Sequence, residues 1–183
     1  ALAHADPNQD PPVTLTALRA RVEIRGAGGR RELPIDELFR DYYESTLEPG
    51  ELVTAVTVPV LPARTGATYL KFLPRTADDY ATVAVAATVT LEPDGERCRE
   101  ARIALGSVGV TPLRGRAAEA LLSGERRGES LLRAAGQAAK GEVDPLTDHR
   151  GSAAYKREMT AVMVERALAQ AWDAARRAAR ATA

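Results

Sequence analysis

A length of 183 residues accommodates one domain or two small ones. The 25 basic and 25 acidic side chains cancel, 45% of residues are hydrophobic and 27% charged; this excludes extended disorder and leaves no basic excess for a dedicated nucleic-acid binder. The single cysteine, Cys98, excludes an intrachain disulfide or a cysteine-built metal or iron–sulfur site and points to a reducing, cytoplasmic compartment. No apolar run approaches the ~18 residues of a membrane span, and no signal peptide opens the chain. The first residue is alanine rather than methionine, so a fragment, a processed product or a longer parent chain is expected.

Residues 1–12 are poor in apolar side chains and carry Pro7, Pro11 and Pro12, which predicts a loop or arm, followed by a short helix over Val13–Ala20. Arg21-Val-Glu-Ile24 alternates, Gly26-Ala-Gly-Gly29 supplies turn residues, and Arg30-Arg-Glu-Leu33 follows, which predicts a hairpin. Pro34 before Ile35–Phe39 predicts one helical turn, and the Val- and Thr-rich stretch Leu52–Val60 a strand. A unit boundary is expected near Leu61–Gly66, dividing the chain at 1–62 and 63–183. The first part holds six basic and ten acidic residues and the second 19 and 15. Three strands are expected over Thr68–Leu73, Ala81–Glu92 and Arg99–Val108, joined by short connections such as Pro93-Asp94-Gly95, an antiparallel meander. Helices follow over Leu113–Leu122, Glu129–Lys140 and Ser152 to about Arg180; Gly124 and Gly141 stand where helices stop. Strands followed by helices predict an α+β fold.

Several features invite chemistry. The Gly26–Gly29 run resembles a phosphate loop, but no Lys-Ser/Thr follows and it links two strands, so it reads as a hairpin turn. His4 and His149 have no carboxylate or second histidine at ligand spacing. Cys98 lies between Arg97 and Arg99, cations that lower a thiol pKa; the plainer expectation is a half-exposed structural cysteine at a strand start. Lys71-Phe-Leu-Pro-Arg-Thr-Ala-Asp-Asp-Tyr80 joins two strands, is too long for a tight turn, and combines a cation, an acidic pair and an aromatic ring. Its plain alternative is a solvated loop with an ion pair between Arg75 and Asp78. Ala5-Asp-Pro-Asn-Gln-Asp10 likewise offers carboxylates that serve either a site or a turn.

In chain order the sequence carries Ala3-His-Ala-Asp-Pro-Asn-Gln-Asp10, Leu47-Glu-Pro-Gly-Glu-Leu52, Lys71-Phe72 with Arg75 and Asp78-Asp79, Ser152-Ala-Ala-Tyr-Lys-Arg-Glu-Met159, and Arg166-Ala-Leu168. Together they resemble the FAD-binding (medium) subunit of molybdenum hydroxylases, the xanthine dehydrogenase and carbon monoxide dehydrogenase flavoproteins. The resemblance implies a partial FAD-binding subdomain over 1–62. A C-terminal domain with a three- to four-stranded antiparallel sheet and helices is implied over 63–183. It implies an oxidoreductase subunit that passes electrons from 2Fe–2S clusters through FAD to an external acceptor. Molybdopterin would lie on a large partner subunit and the 2Fe–2S clusters on a small one.

By position, the resemblance makes Asp10 the acidic residue at the flavin nucleotide and Val53 a backbone or apolar contact to the ring region. Lys71 becomes the lysine at the flavin, and Asp78 and Asp79 the loop that approaches the isoalloxazine. Tyr80 becomes an aromatic cover for a ring face. The residue types suit those roles. An ammonium near the negative charge of a reduced flavin raises its potential, a carboxylate accepts ribityl hydroxyls or opposes the ammonium, and a phenol ring stacks.

The family's glycine-rich pyrophosphate motifs are absent, so the FAD site in this sequence is incomplete and a separate N-terminal FAD-subdomain chain is one expected partner. The same absence supports an alternative: a flavin-free remnant acting as a binding or assembly module, or with repurposed non-redox catalysis.

Overall fold

The structure is a computed structural model in which residues 1–73 and 80–181 are described. Helix α1 spans Asp10–Ala17, earlier than the Val13–Ala20 expected, because Pro11 and Pro12 occupy its first turn. A proline there forfeits no hydrogen bond, and its fixed φ already suits a helix. Strands β1 (Arg21–Gly26) and β2 (Gly29–Pro34) form the predicted hairpin, with Gly26 paired to Gly29. A 3₁₀ turn over Ile35–Glu37 follows Pro34. A small hairpin of β3 (Phe39–Asp41) and β4 (Glu44–Ser45) comes next, unanticipated from the sequence. β5 (Leu52–Thr57) pairs antiparallel with β1, giving the sheet order β2-β1-β5. It ends before the expected Val60, since Pro59 has no N–H to extend a ladder.

A four-stranded antiparallel sheet follows, in the order β6-β7-β8-β9. Its strands are β6 (Thr65–Phe72), β7 (Val83–Leu91), β8 (Cys98–Gly106) and β9 (Leu113–Arg114). Leu113 and Arg114, expected to begin a helix, instead pair with Leu105 and Ala104, and α2 (Arg116–Leu122) starts after Gly115. Helices α3 (Glu129–Lys140) and α4 (Ala153–Ala181) complete the fold, which is α+β.

Strand periodicity decides which layer covers which face. Val83, Val85, Ala87, Val89 and Leu91 of β7 enter a core with Ile103, Leu105, Leu168 and Trp172, under the helices. The opposite face shows small residues: Ala86 and Ala104 meet Val13 and Ala17 of α1. The smallness is needed, because a Cβ on Gly106 would lie 2.3 Å from Val13 Cγ2. On the other side, Gly66 lets α4 close on β6; a Cβ there would lie 2.1 Å from the Ala171 carbonyl oxygen. Arg102 of β8 donates to the Thr16 carbonyl near the end of α1 at 3.0 Å. Burial, aided by the Arg114 and Arg19 charges, pulls its pKa down to about 10, so it remains charged at neutral pH.

Cys98 differs from expectation. It is fully buried in the larger core, and burial, with Glu92 nearby, pushes its thiol up to about 12. Desolvation of the thiolate outweighs the neighbouring arginines, so this cysteine is an inert core residue. Among the described residues no helix is long and apolar enough to cross a membrane.

Candidate functional site

The arm before α1 is ordered by turns rather than by regular structure. Asp6 is buried and accepts the Asn8 backbone N–H on its carboxylate at 3.0 Å, an Asx turn, and the Gln9 N–H on its carbonyl. The arm is also tied outward: the Ala5 carbonyl accepts the Tyr43 N–H at 3.1 Å and the Pro7 carbonyl the Ser107 N–H at 3.2 Å. These contacts deliver Asp10 to the first turn of α1, where the helix dipole favours a carboxylate.

Opposite Asp10 runs β6. Tyr69 and Lys71 are two residues apart, so both side chains leave the same face, toward α1. The Tyr69 hydroxyl donates to Asp10 Oδ1, and Lys71 Nζ lies 2.9 Å from Oδ2. Each carboxylate oxygen therefore has its own donor. Lys71 keeps 16% of its side chain exposed and Asp10 38%, so the pair is shielded yet open on one side.

That side is a cavity of about 300 Å³ lined by Asn8, Gln9, Asp10, Pro11, Lys71 and Tyr80. Tyr80 is 41% exposed, and the Arg150 guanidinium lies 5.4 Å from its ring centroid, a cation–π distance. The cavity offers a carboxylate, an ammonium, two amide side chains and a phenol.

Three of the sequence-derived site residues, Asp10, Lys71 and Tyr80, thus meet at one opening. Val53 stands elsewhere, on β5 opposite Ile24, packed on the small core of Val22, Ile24 and Leu38. Asp78 and Asp79 lie outside the described residues. Tyr69 was not singled out from the sequence, although its i−2 spacing from Lys71 on a strand is the signal that would have found it. Arg150 carried no such signal, because its approach to Tyr80 depends on how the chain between α3 and α4 folds back.

The residues of this cavity fall within two family matches. Residues 68–171 match the CO dehydrogenase flavoprotein C-terminal domain. The chain belongs to that family. Residues 1–61 match the FAD binding domain in molybdopterin dehydrogenase. The chain is 39% identical over 176 residues to the 6-hydroxypseudooxynicotine dehydrogenase complex subunit alpha of Paenarthrobacter nicotinovorans, covering 96% of this chain and 59% of that one. It is 36% identical over 169 residues to the carbon monoxide dehydrogenase medium chain of Afipia carboxidovorans, covering 92% and 58%. A similar solved structure is the carbon monoxide dehydrogenase of Hydrogenophaga pseudoflava that lacks the Mo-pyranopterin moiety of its cofactor. Its TM-score is 0.89 at 38% identity, with 93% of this chain and 58% of that chain covered. The chain therefore spans about three fifths of the length of the curated relatives it matches.

Proposed function

We propose that this chain forms part of the FAD-binding medium subunit of a molybdenum hydroxylase, and that the cavity between α1, β6 and Tyr80 takes the flavin. The convergence of Asp10 and Lys71 at the mouth of that cavity carries this reading. The donor set suits the ribityl and ring portion of a flavin, with a carboxylate to accept hydroxyls, an ammonium and an aromatic face. It suits the diphosphate less well, since the described lining has no glycine to let a main chain close on phosphate and offers one carboxylate that would repel it. In this reading a separate chain or segment supplies the pyrophosphate contacts. The 1–62 part serves as a partial FAD-binding subdomain and 63–183 as the C-terminal domain.

Bound FAD supplies the exchange of electrons between 2Fe–2S clusters on a small subunit and an external acceptor, while a large molybdopterin subunit oxidises the substrate. The work of this chain is electrostatic. Asp10 holds Lys71 Nζ at 2.9 Å and so fixes a positive charge at the cavity mouth. A fixed cation there favours a ring that has gained negative charge, and partial burial strengthens the effect by lowering the local dielectric. Tyr80 offers a stacking face. Asp78 and Asp79 enter as carboxylates opposing Lys71, tuning the choice of acceptor, and Val53 as an apolar contact from the smaller sheet. A buried lone thiol is in keeping with a cytoplasmic setting.

The test is native mass spectrometry with a visible spectrum on the complex from its own host. Molybdenum and iron–sulfur chains with one FAD per copy are expected; a colourless protein without those partners overturns the reading in favour of a flavin-free assembly module. In the same complex Lys71→Met is expected to lower the flavin reduction potential. It should also weaken flavin retention about 10- to 150-fold, the loss of one charge-assisted hydrogen bond of ~1.5–3 kcal/mol.

A further inference from the structure

Behind Tyr80, the segment between α3 and α4 holds a second set of charges that the flavin site does not use. Lys156, in the first turns of α4, is only 3% exposed. Its Nζ lies 2.7 Å from Asp148 Oδ2 and donates to the Leu146 carbonyl at 2.9 Å. Asp148 Oδ1 accepts the Arg150 backbone N–H at 2.8 Å, and the Asp148 and Gly151 main chains exchange two hydrogen bonds of 3.1 Å. The segment is closed into α4 by Ser152, whose Oγ accepts the Tyr155 N–H at 3.1 Å, and by Thr147, whose Oγ1 accepts the Ala153 N–H at 3.0 Å. From this closed turn Arg150 reaches the cavity wall, its guanidinium over Tyr80 and 3.9 Å from Asp148 Oδ2.

Lys156 is buried but Asp148 keeps a third of its side chain exposed, so the pair adds little stability: burying the ammonium costs desolvation and the open carboxylate is screened by water. What such a pair does is fix one arrangement. Burial alone would raise the Asp148 pKa, but the Lys156 hydrogen bond, the Arg150 N–H and both positive charges hold it below the ordinary carboxylate range.

We infer that Lys156 and Asp148 are positioning residues. They clamp the turn 146–151 so that the Arg150 guanidinium holds the Tyr80 ring at the wall of the Asp10–Lys71 cavity. Three residues at the start of α4 thereby serve separate ends. Ser152 caps the helix, Tyr155 packs near Phe72 with ring centroids 6.4 Å apart, and Lys156 sets the turn. What the held ring meets, a flavin, rests on the reading above; the clamp does not.

The experiment has two readouts, the first on the full chain and the second on the complex that contains it. Under NMR, the Arg150 side-chain protons are expected to carry an upfield ring-current shift that Tyr80→Leu removes. Lys156→Met and the isosteric Asp148→Asn are each expected to abolish that shift, and Lys156→Arg to restore it. Persistence of the shift in a folded Asp148→Asn or Lys156→Met variant overturns the clamp. In FAD titrations of the complex from its own host, Arg150→Gln and Lys156→Met are each expected to weaken binding about two- to fivefold, the scale of one cation–π contact. The double variant should be no weaker than the worse single one. Additive losses overturn the coupling. If the unaltered complex takes up no FAD, the flavin reading fails while the ring-current result still decides the clamp.

Discussion

The three- and four-stranded sheets use similar strand residues and end in different surroundings. β7, rich in Val, Ala and Thr, is buried along all nine residues because helices cover one face and α1 the other. β5, also Val- and Thr-rich, leaves five of its six residues exposed, Leu52 and Val56 among them, and only Val53 turns into the small core. Burial is therefore a property of layers and not of strand composition. The larger region is held by interdigitated apolar volume. The smaller one relies more on its rim, where Arg31 and Glu51 form two parallel hydrogen bonds of 2.9 and 2.6 Å.

Gly66→Val attacks the larger region where α4 meets β6. The new side chain would meet main-chain atoms, the Ala171 carbonyl oxygen and the Ala175 nitrogen 2.3 Å from its Cβ, which cannot turn aside. A loss of about 3 kcal/mol or more is expected in urea unfolding, and a loss below about 1 kcal/mol would break the contrast. A second probe needs no substitution. With its pKa near 12 and no exposure, Cys98 is expected to react with a thiol reagent only at the rate of unfolding, so its labelling follows the larger core alone. Rapid labelling in native buffer would mean that this core opens locally.

The smaller sheet should respond to pH instead. Glu51 is held down to about 2 by the Arg31 hydrogen bonds first, and then by the Glu48 backbone N–H. Its folded pKa lies below the unfolded value of 4.5, so its contribution is complete above that pH and is lost as pH falls toward 2. Glu51→Gln is expected to flatten the decline of the unfolding midpoint over that window by a small amount, because the pair is at the surface. An unchanged pH profile would show that the rim pair is dispensable.

Where a local rule governs the backbone, the sequence was enough. The Gly26–Gly29 turn, the three long strands and the three later helices lie close to where turn residues and periodicity put them. The failures fall where a partner decides. Leu113 and Arg114 read as helix but pair with β8, and the β3–β4 hairpin turns through Tyr43 at φ 55 rather than through an Asn-Gly or Asp-Gly pair. Cys98 looked half-exposed beside two arginines, yet its strand position points it inward.

For the site, family resemblance marked Asp10, Lys71 and Tyr80, and their residue types named the chemistry. Composition and spacing by themselves determined an α+β chain with a strand-then-helix second part, because periodicity and turn chemistry act over a few residues. Tertiary structure alone decided that α1 lies on the sheet, that Tyr69 and Lys71 share one carboxylate, and that Arg150 reaches Tyr80. Those contacts join residues 59 to 70 positions apart, and no local pattern encodes a distance of that kind until the layers pack.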